Sequence, residues 1–142
     1  MKFRKTPVKG TCDILPDEMR LREYVLSMIK ETYELYGFSQ IETPVMEHIE
    51  NLTGKQGGEN EKLMFQILKR GEELKRAIED GKYELADYGL RYDLTVPLAR
   101  YYANSMSKLT MPFKSLQIGN VFRADKPQKG RFRQFMQCDI IY

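Results

Sequence analysis

The sequence predicts an α+β fold in which helices flank an antiparallel sheet. A helical repeat of apolar residues follows a broken N-terminal arm, a second amphipathic segment lies past the middle, and the C-terminal end shows a strand–turn–strand pattern. Strands and helices do not alternate regularly, which disfavours a doubly wound parallel sheet. The 142 residues suit one domain, and 42% hydrophobic with 30% charged residues excludes intrinsic disorder.

Composition also limits the classes of function. No run reaches the ~18 apolar residues of a membrane span, and the basic N-terminus lacks the apolar stretch of a secretory signal, so a cytoplasmic protein is expected. Cys12, Cys138 and the single histidine, His48, lack the spacing of a zinc site or a disulfide framework. A net charge of +3 is too small to indicate a polyanion partner by itself.

The first part of the chain predicts an arm, a helix and a strand. Residues 2–16 are basic and interrupted by proline and glycine, which favours an extended arm. The helix begins at Asp17, repeats apolar residues three and four apart, and ends at Gly37. Residues 39–48 alternate as in a strand, and Pro44 indicates a strand end, an edge or a bulge.

The remaining elements follow from the same rules. They are a glycine-rich loop at 54–60, a short buried strand at 63–68, a solvated helix at 70–80, a strand at 90–93, an amphipathic helix at 94–105, and a hairpin of strands 113–123 and 131–142 around a turn at 124–130. Since the last residues still follow a strand pattern, the chain is expected to be a fragment of a longer protein.

The return strand of the hairpin carries the most informative pattern. Alternate side chains of a strand share a face, and the even-numbered face is largely apolar, which predicts core. The odd-numbered face is polar and comprises Arg131, Arg133, Phe135, Gln137, Asp139 and Ile141. Because an unpaired buried charge costs several kcal/mol, this odd face is predicted to line a wet cleft that holds a polar ligand.

The turn adds positive charge next to that face. Residues 123–133 contain five cationic residues and one acidic residue, Asp125. The cationic residues are Arg123, Lys126, Lys129, Arg131 and Arg133. Guanidinium groups bind phosphate bidentately, and Phe135 offers a ring for a nucleobase. The pattern fits a nucleotide with a reacting phosphate, and on composition alone a solvated basic hairpin tip fits it equally well.

A second candidate is the segment LRYDLT at 90–95. It places the carboxylate of Asp93 and the hydroxyl of Thr95 where a strand meets a helix. Helix capping is the favoured interpretation from these residues alone. The functional alternative is that Asp93 binds a cationic amine.

Four stretches together resemble the histidyl-tRNA synthetase family of class II aminoacyl-tRNA synthetases. They are KGTCDILPDEMRLREYV, YGFSQIETPVME, LRYDLTVPLARYYA and VFRADKPQKGRFRQFMQCD, and they span nearly the whole chain. The resemblance implies a partial catalytic domain over 1–142. In it, motif 1 lies at about 33–47, the histidine-binding segment at 90–102 and motif 2 at about 113–142.

The resemblance implies a two-step reaction. ATP activates histidine to histidyl-adenylate with Mg²⁺, for which no protein ligand is assigned, and the aminoacyl group then passes to tRNA(His). It also implies a homodimer through motif 1.

The resemblance further assigns roles by position. Arg123 would hold the substrate carboxylate and the α-phosphate and act in catalysis. The residues implied for histidine are Asp93, Thr95, Arg123 and Gln137. Those implied for the nucleotide are Arg123, Asp125, Arg131 and Phe135. Those implied for the tRNA acceptor end are Lys126, Gln128, Lys129 and Arg133.

The chain departs from the family pattern in two respects. Ile141 stands where the family carries an acid four positions after Gln137, and Asp139 on the same face is a substitute if the strand has a bulge. The second histidine motif, motif 3 and the anticodon-binding domain are absent from the 142 residues, so the chain alone is expected to be inactive.

Two other functions remain open at this stage. The first is the synthetase-like, non-catalytic regulatory subunit of ATP phosphoribosyltransferase, although Arg123, Arg131 and the whole PQKGR loop favour the ligase. The second is an RNA-binding module that uses the basic hairpin, whose affinity would fall steeply with salt.

Overall fold

The computed structural model describes residues 3–53 and 62–142, so the loop expected at 54–60 lies outside the described residues. The helices are α1 (Pro16–Leu35), α2 (Ile49–Thr53), α3 (Gly71–Glu79) and α4 (Thr95–Ser105). The strands are β1 (Ser39–Ile41), β2 (Met46–His48), β3 (Phe65–Leu68), β4 (Ala86–Leu90), β5 (Ser115–Phe122) and β6 (Gln134–Ile141). The α+β class is confirmed.

The strands form two three-stranded sheets, one of them mixed. The first has the order β1-β5-β6, with β1 parallel to β5 and β5 antiparallel to β6. The second is antiparallel and has the order β2-β4-β3. The predicted antiparallel sheet is therefore correct for most pairings, and the parallel β1–β5 pair is an addition that the sequence pattern did not indicate.

The strand predicted at 39–48 is divided between the two sheets. β1 ends at Ile41 and β2 begins at Met46, and Pro44 lies in the connection, where its missing N–H breaks no ladder. Thr43, next to it, is buried, and its hydroxyl lies 3.2 Å from Gln117 Oε1. The connection thus carries the chain from one sheet to the other.

The long helix α1 is confirmed, with Pro16 in its first turn and two acidic residues behind it. The chain leaves it through Gly37, whose φ of 78° favours glycine. None of its residues is buried against the rest of the described chain. Three of its apolar side chains, Leu21, Val25 and Met28, are about half exposed or more.

The segment between β4 and α4 lies over β5 and positions the candidate site. The strand predicted at 90–93 is wrong, since β4 ends at Leu90 and the next residues turn into α4. Three side-chain hydrogen bonds fix this segment to β5 and to the residue after it: Arg91 Nε donates to Asn120 O, Gln117 Nε2 to Leu94 O, and Arg123 Nε to Tyr92 O. Leu94 and Val121 are almost fully buried at this contact.

The prediction that the even-numbered face of the return strand forms the core is wrong. Cys138 is exposed and Ile140 is 41% exposed on that face. The segment 91–98 packs on the opposite face, where Gln117 and Val121 of β5 are buried. The described part of the chain offers no element that buries the even-numbered side chains of β6.

Candidate active site

The odd-numbered face of β6 forms one wall of the site. β5 and β6 pair over eight residues without a register shift, so no bulge occurs in this ladder. Phe135, Gln137, Asp139 and Ile141 therefore share a face, as the alternation predicts, and all four are half-buried. The same argument does not extend to Arg131 and Arg133, because both precede the first residue of β6.

Arg123 is fixed above the Phe135 ring. Its Nε donates to the carbonyl oxygen of Tyr92 over 3.0 Å. Its guanidinium carbon lies 5.0 Å from the centroid of the Phe135 ring, within the range of a cation–π contact. Among the described residues, its Nη1 and Nη2 groups have no hydrogen-bond partner, so they are available to an anion.

A cavity of about 240 Å³ lies beside this pair. It is lined by Arg123, Asp125, Gly130, Arg131, Phe132 and Phe135. Asp125 and Arg131 form an ion pair of 2.9 Å at its wall, and the Arg131 side chain remains 55% exposed. The structure thus brings together all four residues that the resemblance implies for the nucleotide.

The residues implied for the tRNA acceptor end divide into two groups. Lys126, Gln128 and Lys129 are exposed on the loop that follows β5. Arg133 is instead half-buried at the base of that loop, where its Nε donates to Asp125 O over 3.0 Å. Its backbone N–H donates to Gly10 O over 2.7 Å, so the N-terminal arm also holds this position.

Asp93 caps helix α4. Its Oδ1 accepts hydrogen bonds from the backbone N–H groups of Thr95 and Val96 at 3.2 and 3.3 Å. The capping interpretation is confirmed, and it occupies one carboxylate oxygen. Thr95 is exposed at the first residue of α4 and lines an apolar cavity of about 520 Å³ together with Ile141.

Gln137 contacts the acid next to it on the same face. Its Nε2 lies 3.0 and 2.9 Å from the two carboxylate oxygens of Asp139. Its Oε1 is buried and has no hydrogen-bond partner among the residues that the structure describes. The ladder between β5 and β6 has no bulge, so the condition under which Asp139 would substitute for the acid missing at Ile141 is not met.

Sequence reasoning missed two buried charged residues near the site. Arg91 is 4% exposed and donates its side-chain hydrogen bonds to backbone oxygens of β5 and of the connection at Thr43. Glu47 is 3% exposed and forms an ion pair of 2.6 Å with Arg100 of α4. Both stand in stretches quoted above, but residue spacing did not single them out, because their charged or carbonyl partners lie far away in the sequence.

Glu47 carries a shifted pKa. Burial raises the pKa of this carboxyl, but hydrogen bonds from Arg100, Asn51 and the backbone of His48 outweigh it and leave the pKa below its usual value. His48 itself is exposed, and its ring lies 5.6 Å from that of Tyr88, which agrees with a structural role.

No metal centre or membrane span is found in the described residues. Residues 3–53 and 62–142 contain no group of three His, Cys, Asp or Glu side chains that could hold an ion. Within the same ranges, no helix combines the length and the apolar character that crossing a bilayer requires.

The fold is that of a class II aminoacyl-tRNA synthetase catalytic domain. The structure of histidyl-tRNA synthetase from Nostoc sp. PCC 7120 superposes with a TM-score of 0.76 at 36% identity, over 96% of this chain and 28% of that one. A structure described as an ATP phosphoribosyltransferase regulatory subunit/histidyl-tRNA synthetase from Bacillus halodurans C has a TM-score of 0.73 at 23% identity, over 99% of this chain and 32% of that one, which shows the shared fold alone.

A sequence model of the family described as Histidyl-tRNA synthetase matches residues 10–140. The chain belongs to this family. The histidine–tRNA ligase of Leifsonia xyli subsp. xyli is 51% identical over 139 residues, which is 95% of this chain and 32% of that protein. The histidine–tRNA ligase of Bacteroides fragilis is 48% identical over 140 residues, 92% of this chain and 31% of that protein. The chain thus spans about a third of the length of the curated relatives it matches.

Proposed function

We propose that this chain supplies the ATP- and histidine-binding part of a cytoplasmic histidine–tRNA ligase. The observation that carries the proposal is the position of Arg123, fixed by Tyr92 O over the Phe135 ring and beside a cavity of about 240 Å³. A nucleobase fits next to the ring, and a phosphate fits against the free end of the guanidinium.

In the activation step, an oxygen of the histidine carboxylate attacks the α-phosphorus of ATP. The bond from that phosphorus to the bridging oxygen breaks, and histidyl-adenylate and pyrophosphate form. Arg123 faces the phosphate with a preorganised positive charge, because its Nε is already bonded to the protein. Such fixed charge stabilises the transition state without reorganisation during the reaction.

The amino acid would lie between the start of α4 and the odd-numbered face of β6. Asp93 and Thr95 stand on the first side, and Gln137 with Asp139 on the second. Acceptor oxygens on both sides suit the protonated amine of an amino acid. The exposed Lys126, Gln128 and Lys129 would then contact the tRNA(His) acceptor end, whose terminal hydroxyl displaces AMP from the adenylate.

Mg²⁺ enters this proposal only with the substrate. Asp125, the carboxylate that lines the nucleotide cavity, is paired with Arg131. The described residues therefore do not fit a resident ion, and the metal is the counter-ion that ATP brings on its phosphates. We also propose a homodimer through motif 1, since Leu35, Tyr36 and Met46 of this segment are exposed.

Pyrophosphate exchange by the full-length protein tests the proposal. Histidine-dependent exchange of labelled pyrophosphate into ATP is the expected result, since it reports adenylate formation. Binding of ATP and histidine without exchange would instead favour the regulatory subunit of ATP phosphoribosyltransferase, whose fold is shared. The other 19 amino acids serve as the control, because exchange with several of them would contradict histidine as the substrate.

A further inference from the structure

Arg91 joins the three segments that build the site. Its Nη1 donates to the carbonyl oxygen of Thr43 at 2.7 Å and lies 3.1 Å from the Thr43 hydroxyl. Its Nε donates to Asn120 O at 2.9 Å. Its own backbone adds two more bonds, from its N–H to Val45 O and from Phe122 N–H to its carbonyl oxygen.

The hairpin is shaped to receive this side chain. A Cβ on Gly119 would overlap Arg91 Nη2 and lie 3.3 Å from its Cζ, so only glycine leaves room for the guanidinium. Gly119 is the register partner of Gln137 on the same face of the sheet. The Arg91 guanidinium therefore lies on the face of β5 next to the predicted histidine-binding residue.

The charge of Arg91 is costly to bury, and no carboxylate in residues 3–53 and 62–142 forms a hydrogen bond or an ion pair with it. Its recorded hydrogen bonds go to carbonyl and hydroxyl oxygens. Burial lowers the pKa of this guanidinium, and the more distant Glu42 opposes the shift. A buried cation with neutral partners is an inefficient way to add stability. A rigid planar group with five donors is, however, an efficient way to fix several backbone segments relative to one another.

We propose that Arg91 is a positioning residue that sets the distance between the amino-acid segment and the nucleotide hairpin. Arg91 stands two residues before Asp93, and its guanidinium is bonded to β5 three residues before Arg123. The inference rests on the proposed function. It predicts that a ligand spanning both halves of the site depends on Arg91, whereas a ligand that contacts the hairpin alone does not.

The experiment compares two ligands on the full-length protein by calorimetry. ATP contacts the hairpin, and histidinol adenylate, a stable analogue of the histidyl-adenylate, spans the hairpin and the amino-acid segment. Arg91→Lys keeps the charge and removes the planar fork. We expect it to weaken binding of the analogue at least about tenfold and binding of ATP less than about threefold.

Two further variants make the test independent of a single substitution. Gly119→Ala leaves Arg91 in place but displaces its guanidinium, so it should reproduce the loss for the analogue. Thr43→Val removes the hydroxyl that accepts from Arg91 and contacts Gln117 Oε1, but it keeps the Thr43 carbonyl oxygen. It should therefore give a smaller loss in the same direction, and it decides the question if the first two variants unfold.

Arg100→Lys is the matched control. It perturbs the ion pair with the buried carboxylate of Glu47 without touching β5. Equal losses for ATP and the analogue in Arg91→Lys, or the same pattern in Arg100→Lys, would reduce Arg91 to a structural residue and overturn the inference. A wild-type full-length protein that binds neither ligand would contradict the proposed function itself.

Discussion

Arg123 carries the largest predicted effect of any single residue. Its Nε is bonded to Tyr92 O and its guanidinium covers the Phe135 ring, so its free end is held in one direction. Arg123→Ala in the full-length protein should lower the rate of pyrophosphate exchange by ~10²-fold, the loss typical for a fixed donor on a developing anion. Arg76→Ala on the exposed face of α3 serves as control. A loss below about threefold would contradict the catalytic role.

The residue scale also shows what the sequence can and cannot indicate. Asp93 and its cap were predictable because the partners are two and three residues away. Arg91 was not, because the oxygens that it binds belong to residues 29 and 48 positions away. A rule based on the spacing of neighbouring residues cannot identify such contacts. The roles of Arg123 and Phe135 remain predictions, supported by the cavity that they line.

At the scale of elements, the loop between β5 and β6 separates two kinds of cation. Lys126 and Lys129 are exposed, whereas Arg133 is bonded to Asp125 O at the base. Lys126→Ala and Lys129→Ala should therefore weaken aminoacylation of tRNA more than pyrophosphate exchange, and the loss should shrink at high salt.

Lys108→Ala, at an exposed position away from the loop, is the control for this comparison. Aminoacylation and exchange rates measured on the same preparations decide the result. Equal losses in both steps would remove these lysines from the tRNA site.

Element boundaries explain the failures of the alternation argument. The hairpin was correctly expected, but β6 begins at Gln134, because residues 128 and 131 already pair with each other in the turn. The period-2 rule was therefore valid for Phe135 to Ile141 and not for the two preceding arginines. The assignment of the core face failed for a different reason, because the covering segment 91–98 is distant in sequence.

The contact between β2 and α4 depends on the charge of Glu47. The folded-state pKa lies below the usual 4.5, so the ion pair with Arg100 contributes stability above that pH and loses it as the pH falls through the folded-state value. Glu47→Gln should lower the free energy of unfolding at pH 7 by about 2 kcal/mol.

Urea denaturation at pH 7 and at several values below 4.5 measures this effect. The difference between the wild type and Glu47→Gln should shrink as the pH falls, because the wild-type carboxyl becomes protonated. Asp80→Asn, which alters an exposed ion pair with Lys82, is the control and should change stability little. A difference that is independent of pH would contradict the role of the ion pair.

At the scale of the whole molecule, the fold class followed from the sequence because α1 and the hairpin have strong periodic patterns. The division into two sheets did not follow from the sequence, because it depends on how Thr43 and Arg91 connect the sheets across long sequence distances. The family resemblance supplies the arrangement of the segments that the residue pattern alone does not predict. It ties these segments to a known domain, and the match over residues 10–140 confirms it.

The exposed side of α1 leads to a prediction about assembly. Val25 and Met28 are 46% and 51% exposed on a helix that packs little against the rest of the described chain. Exposed apolar side chains of this kind are typical of an interface. Motif 1 begins near residue 33 at the end of α1, and we expect the proposed homodimer to cover this helix as well. The wild-type chain should therefore self-associate in sedimentation velocity experiments over a range of concentrations.

Charged substitutions on this side of α1 test whether the helix forms the dimer interface. Val25→Glu and Met28→Glu should each weaken self-association by about tenfold or more, because a carboxylate cannot be buried there without a partner. Ile78→Glu changes an equally exposed apolar residue on α3 and should leave association unchanged. A wild-type chain that remains monomeric at the highest concentration, or equal effects at all three positions, would show that α1 is not the dimer surface.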